Sequence, residues 1–82
     1  MYYIFSIEHR LWWKPNACGY THILEHAGKY TFEEASAIIK SANLGGTINE
    51  TMININSNLL SDSPSEYTIN KILSLLINPH IT

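Results

Sequence analysis

A chain of 82 residues with one cysteine, Cys18, must hold itself together by packing alone. No disulfide can form within it. A domain of this size buries only about 60–65% of the surface its unfolded chain exposes, so its core has a thin margin. Apolar residues make up 45% of the chain and aromatic residues 11%, which excludes disorder. The length fits one domain, residues 1–82, and not two. A net charge of −2 argues against direct nucleic-acid binding by phosphate neutralisation, which needs a basic surplus. The lone thiol suggests a reducing compartment, the cytoplasm. Met1 to Ile7 is apolar but has no basic leader and meets Glu8 too early for a signal segment. No run approaches the roughly 18–20 apolar residues of a membrane span. Charged residues, at 15%, fall below the usual ~25% of a soluble domain. Self-association is therefore one expected source of added stability, beside a monomer with an Asn- and Ser-rich exterior.

The pattern predicts a small α+β fold: an antiparallel sheet with two helices packed on one face. Tyr2 to Glu8 reads as the first strand, with Tyr3, Phe5 and Ile7 on one side and Tyr2, Ile4, Ser6 and Glu8 on the other. Residues 10–24 read as a hairpin whose tip, 15–19, carries Pro15-Asn16 in a type I turn and Gly19 at a positive φ. Thr31 and Glu34 form a capping box that starts a helix over 32–42, with Phe32, Ala35, Ile38, Ile39 and Ala42 on one face. Gly45-Gly46 ends it. Thr51 to Asn56 alternates as the last strand, with a polar opposite side. Ser63 as N-cap, Pro64 at N1 and Glu66 closing a capping box predict a second helix over 64–77, stopped at Asn78-Pro79. Its apolar positions, Tyr67, Ile69, Ile72, Leu73, Leu75, Leu76 and Ile77, are wider than one stripe. That width predicts deep burial or a homo-oligomer through residues 64–77.

Residues 8–35 carry the functional signal. Glu8-His9, Trp12-Trp13-Lys14-Pro15, Gly19-Tyr20-Thr21, Ala27-Gly28-Lys29-Tyr30, Glu33-Glu34-Ala35 and, later, Asn49-Glu50 stand in order along the chain. In these motifs the sequence resembles a group of short, uncharacterised bacteriophage proteins. The resemblance covers residues 3–53, a motif-bearing core, and leaves 57–82 as a C-terminal extension. It implies a phage protein at work in the cytoplasm of an infected bacterial cell. It names no activity, since none belongs to the group as a whole. A phage gene this small serves capsid accessories, regulation or the defeat of host defence.

The residues add a chemical reading. Adjacent strand residues point to opposite faces, so Trp12 and Trp13 cannot both enter one side of the sheet. One is expected in the core and the other toward an open face or a partner. Tyr20 extends such a surface, Arg10 and Lys14 place cations beside it, and Thr21 and Glu50 supply hydrogen-bonding groups. His9, Tyr30 and Asn49 add further aromatic and polar groups. Stacking rings, cations and a carboxylate suit a purine nucleotide. They equally suit a protein hot spot. The competing reading makes both tryptophans and Tyr30 core, with Gly19 and Gly28 serving turn geometry.

A zinc site at Cys18, His22 and His26 is disfavoured, because strand spacing at i, i+4 separates ligands by about 13 Å. A Cys18 nucleophile served by His22 or His9 lacks a signature. A Glu8–Glu50 acid/base pair needs a deep cleft that so short a chain seldom builds. The expectation is thus a non-enzymatic counter-defence protein that sequesters a nucleotide-derived host immune signal through Arg10, Trp12, Trp13, Lys14, Tyr20, Thr21 and Glu50. No metal or cofactor is expected. The alternative is an anti-CRISPR-like inhibitor docking its aromatic surface on a host defence protein, and a third reading is a small hydrolase acting on the same signal.

Overall fold

The computed structural model describes residues 1–46 and 49–77, the last three of these by their backbone alone. Four strands form one antiparallel sheet: β1 (Tyr2–Ser6), β2 (Leu11–Trp13), β3 (Tyr20–Thr21) and β4 (Glu50–Asn54). Their spatial order is β3-β2-β1-β4, so β1 lies in the middle. Helix α1 (Phe32–Ala42) connects β3 at one edge to β4 at the other, and helix α2 (Glu66–Ile77) follows β4.

The helices lie on opposite faces of the sheet, which corrects the expectation that both pack on one. The reason lies in β1. Ile4, with Tyr2 beside it, packs with Tyr30, Trp13, Met52 and the α1 residues Ala35, Ile38 and Ile39. Phe5, with Tyr3 and Ile7, packs with Trp12, Ile53 and the α2 residues Ile69, Ile72 and Leu73. A strand that is apolar on both sides needs a cover on each. The expectation that the side of β4 opposite Thr51 and Ile53 is polar also fails, since Met52 packs toward α1.

Helix α1 has the predicted bounds and the predicted capping box. Thr31 Oγ1 accepts from the Glu34 N–H at 3.1 Å, and the Glu34 carboxylate accepts from the Thr31 N–H at 2.8 Å. The α2 cap differs from expectation. Ser65, not Ser63, accepts from the Thr68 N–H, and Glu66 turns outward to Arg10. Pro64 precedes the helix, whose first residue is Glu66. The predicted stop at Asn78-Pro79 lies outside the described residues. No described helix is long and apolar enough to cross a membrane.

The hairpin is shorter than predicted. β3 ends at Thr21 because the Thr21 hydroxyl accepts from the Ile23 N–H at 3.1 Å, a local turn that competes with the ladder. Leu24–His26 then forms a single 3₁₀ turn, tied to the α2 side by the Leu24 N–H donating to the Asp62 carboxylate. The segment before α2 completes the lower core: Leu59 and Leu60 pack against it, and the Trp12 indole N–H donates to the Ser61 carbonyl at 3.0 Å. Leu59, Leu60, Ile69, Ile72 and Leu73 therefore pack on one face of the sheet, so the described part of the C-terminal extension supplies core.

Candidate functional site

The hairpin tip is built by the motif residues themselves. Pro15–Ala17 makes a 3₁₀ turn in which Asn16 (φ 60°) and Ala17 (φ 53°) are both left-handed, instead of the predicted type I turn. Asparagine tolerates that region; alanine is strained in it. Gly19 takes the expected positive φ, 105°. Tyr30, buried, holds the strained turn: its hydroxyl accepts from the Ala17 N–H at 3.1 Å and donates to the Lys14 carbonyl. Gly28 is required by a close approach. A Cβ there would stand 2.7 Å from the Pro15 backbone, and its N–H donates to the Trp13 carbonyl at 2.9 Å. The Ala-Gly-Lys-Tyr motif is thus the support of the Trp-Trp-Lys-Pro motif.

That support presents Trp13 and Tyr20 side by side. The two residues are register partners of β2 and β3, and their rings meet edge to face at 5.9 Å and 84°. They form one wall of an open cleft of about 580 Å³ on the α1 side of the sheet. Ala17 lies at its rim; Ala37, Ile38, Ser41 and Ala42 of α1 form the opposite wall, and Glu50 completes the lining. Small side chains on α1 leave the space open.

Glu50 is the unusual residue here. Only 4% of it is exposed, yet its Oε2 has no hydrogen-bond partner, and the same holds for the buried Nε1 of Trp13. The backbone at Glu50 is pinned by Asn43, the residue that ends α1. The Asn43 amide donates to the Glu50 carbonyl at 3.1 Å and accepts from the Glu50 N–H at 3.2 Å, closing that stretch of the sheet edge as a neighbouring strand would. Burial pushes the Glu50 carboxyl above the usual carboxylate range, and the negative charge of Glu8 adds to this. His9, the Trp13 indole and the Ser6 hydroxyl act in the other direction and do not cancel it. Ser6 itself accepts from the His9 N–H at 3.1 Å, and the His9 ring stands 4.6 Å from that of Tyr20. Burial also raises the Tyr20 hydroxyl, helped by Glu50 and Glu8.

Of the seven expected site residues, Trp13, Tyr20 and Glu50 come together. Trp12 is fully buried on the opposite face, in edge contact with Phe5 at 4.9 Å. Thr21 pairs with Trp12 in register and shares that face. Arg10 forms a salt bridge with Glu66 on the α2 side, which raises the guanidinium and lowers the carboxyl of Glu66. Lys14 is exposed at the hairpin end and does not line the cleft. The two cations therefore do not flank the two tryptophans. Sequence reasoning gave too little weight to Glu8, His9 and Ser6, although the Glu8-His9 pair was visible as a motif. It missed the α1 wall altogether; the only signal was the small size of Ala37, Ser41 and Ala42.

Among the described residues no three His, Cys, Asp or Glu side chains come close enough to hold a metal ion. Cys18 is free and exposed. No family model matches the chain, and comparison with curated proteins and with solved structures returns no match.

Proposed function

We propose that this protein acts by binding and not by catalysis, taking up a nucleotide-derived signal by its ring in the cleft between α1 and the Trp13–Tyr20 pair. A phage counter-defence role follows from the motif resemblance and is part of the same proposal. One observation supports the binding reading most directly: Glu50 is kept buried, with an unpartnered oxygen, at the wall of an open cleft. A buried polar atom without a partner costs about 1–3 kcal/mol, and such costs concentrate at sites that a ligand completes. The strained turn at Asn16 and Ala17, on the rim of the same cleft, supports the same reading. The ring stacks on Trp13 or Tyr20, and the phosphates stay in solvent, since among the described residues no lysine or arginine lines the cleft.

The lack of a lining cation also favours a second reading, in which a cationic side chain of a host defence protein enters the cleft and the chain works as a protein inhibitor. A thermal-shift panel of linear and cyclic nucleotides separates the two. Sequestration is expected to raise the melting temperature with at least one of them and to release that compound intact on heat denaturation. A panel without any shift sinks the nucleotide reading and leaves the inhibitor ahead. Release of a cleaved product would instead make the protein an enzyme.

A further inference from the structure

β4 ends the sheet, and parity assigns the peptide groups on its free side. The Asn49 carbonyl accepts from the Ile7 N–H at 2.8 Å, and the Ile55 N–H donates to the Met1 carbonyl at 3.2 Å, so odd-numbered residues turn toward β1. Even-numbered residues turn outward. Asn43 occupies the outward groups of Glu50. Those of Met52 and Asn54 come next. Among the described residues no main-chain group bonds to the Met52 N–H and C=O or to the Asn54 N–H. The Asn54 carbonyl accepts from the Ser57 N–H at 2.9 Å and keeps a second lone pair. Edge strands are ordinarily guarded by charge, proline or a bulge. Thr51 to Asn56 contains no charged residue and no proline, and β4 pairs with β1 without a break in register. On the α2 side the same edge borders an apolar groove of about 240 Å³, whose lining includes Thr51, Ile53, Leu59 and Ile72.

We infer that this edge pairs with the same edge of a second copy of the chain, so that two sheets continue as one. The occupant is a second copy because the free groups complement themselves. An antiparallel two-fold centred on Ile53 sets Met52 opposite Asn54 of the second copy as a hydrogen-bonded pair, and Asn54 opposite its Met52 likewise. Every outward group of the two residues then finds a partner. A two-fold centred on Met52 would instead set Asn54 against Glu50, whose groups Asn43 already holds. Asn43 thus fixes the register and stops the ladder. Charge agrees, since an uncharged strand meets itself without like-charge repulsion. The two-fold leaves both α2 helices on one side of the joined sheet, with the two apolar grooves adjoining about the Ile53 pair. The pairing does not depend on what the cleft binds.

Solution measurements on the wild-type chain test this. Sedimentation velocity is expected to show a monomer–dimer equilibrium with a dissociation constant of about 10 μM, in keeping with a small interface. Amide exchange is expected to be fast at Met52 and Asn54 in a dilute sample and to slow by about tenfold or more as the dimer fills. Thr51 and Ile53, turned toward β1, are expected to stay slow throughout. In a mixture of isotope-labelled and unlabelled chains, an Hα–Hα contact between Ile53 of one copy and Ile53 of the other is expected, the mark of this register. Asn54→Pro removes one outward donor from each copy and spares the β1 ladder, so it is expected to weaken the dimer about a hundredfold. If circular dichroism shows that this variant has lost its fold, Asn54→Lys, at an exposed position, replaces it and is expected to weaken the dimer about tenfold. A chain that stays monomeric at about 1 mM overturns the inference. Slow Met52 and Asn54 amides in the dilute sample overturn it too, because the chain's own residues then cover the edge. So does a dimer that lacks the Ile53 contact or is unchanged in a folded Asn54 variant.

Discussion

Two side chains carry much of the local argument, Tyr30 and Glu50. Tyr30 spends both hydrogen-bonding capacities of its hydroxyl on the hairpin turn, through Ala17 N–H and Lys14 C=O. Tyr30→Phe keeps the ring in the core and removes both bonds. The expected loss is about 1–2 kcal/mol, seen as a lower midpoint in urea unfolding, with faster amide exchange at Ala17. Glu50 has the opposite balance. Burial and Glu8 raise its carboxyl, so the folded protein holds that proton to a higher pH than the unfolded chain does. Between the ordinary value near 4.5 and the raised one, the unfolded state binds fewer protons, and stability falls as pH rises through that window. Glu50→Gln is therefore expected to melt higher than wild type at pH 7, with the gain shrinking toward pH 5. A pH-independent difference in melting temperature would show that the Glu50 charge is not the cause.

Among the elements, what was legible depended on how local the signal was. Helix α1 could be read from its sequence because its capping box and apolar spacing are both short-range and agree. The α2 start misled by two residues: Ser63-Pro64-Ser65-Glu66 holds two possible caps, and Arg10, 56 positions away, takes the Glu66 carboxylate that one of them needs. The length of β3 was illegible for a similar reason, because the Thr21 hydroxyl competes locally with the ladder while Asp62 captures the next turn from across the fold. The width of the α2 apolar face invited an oligomer. Ile69 and Ile72, at 4% and 3% exposure, belong to this chain's own core, while Tyr67 is exposed. Ile72→Ala is expected to cost about 2–4 kcal/mol in chemical denaturation. If α2 served mainly an interface between copies, the same substitution would change the sedimentation coefficient far more than the unfolding midpoint of a dilute sample.

The whole molecule is a thin sheet with a helix on each side, and this arrangement explains why the site was only partly visible beforehand. Adjacent tryptophans were certain to face apart, and they do: Trp12 anchors the α2 layer and Trp13 turns to the α1 layer. Which one meets the cleft depends on where α1 crosses, a fact of topology that no spacing along the hairpin encodes. Arg10 shows the same limit, since its neighbour in sequence is the hairpin and its partner in space is α2. The motif residues that do converge come from the ends of three strands, Trp13 of β2, Tyr20 of β3 and Glu50 of β4, with Glu8 and His9 in the turn that follows β1. Retention of a ligand in that cleft can be measured in one step, by native mass spectrometry of the protein expressed in a bacterial host and purified without denaturation. The expected spectrum shows the chain carrying a discrete added mass in the range of a nucleotide, lost in Tyr20→Ala and recovered unaltered after denaturation. A bare chain in wild type and variant alike, under conditions where the host makes the signal, would contradict the binding role.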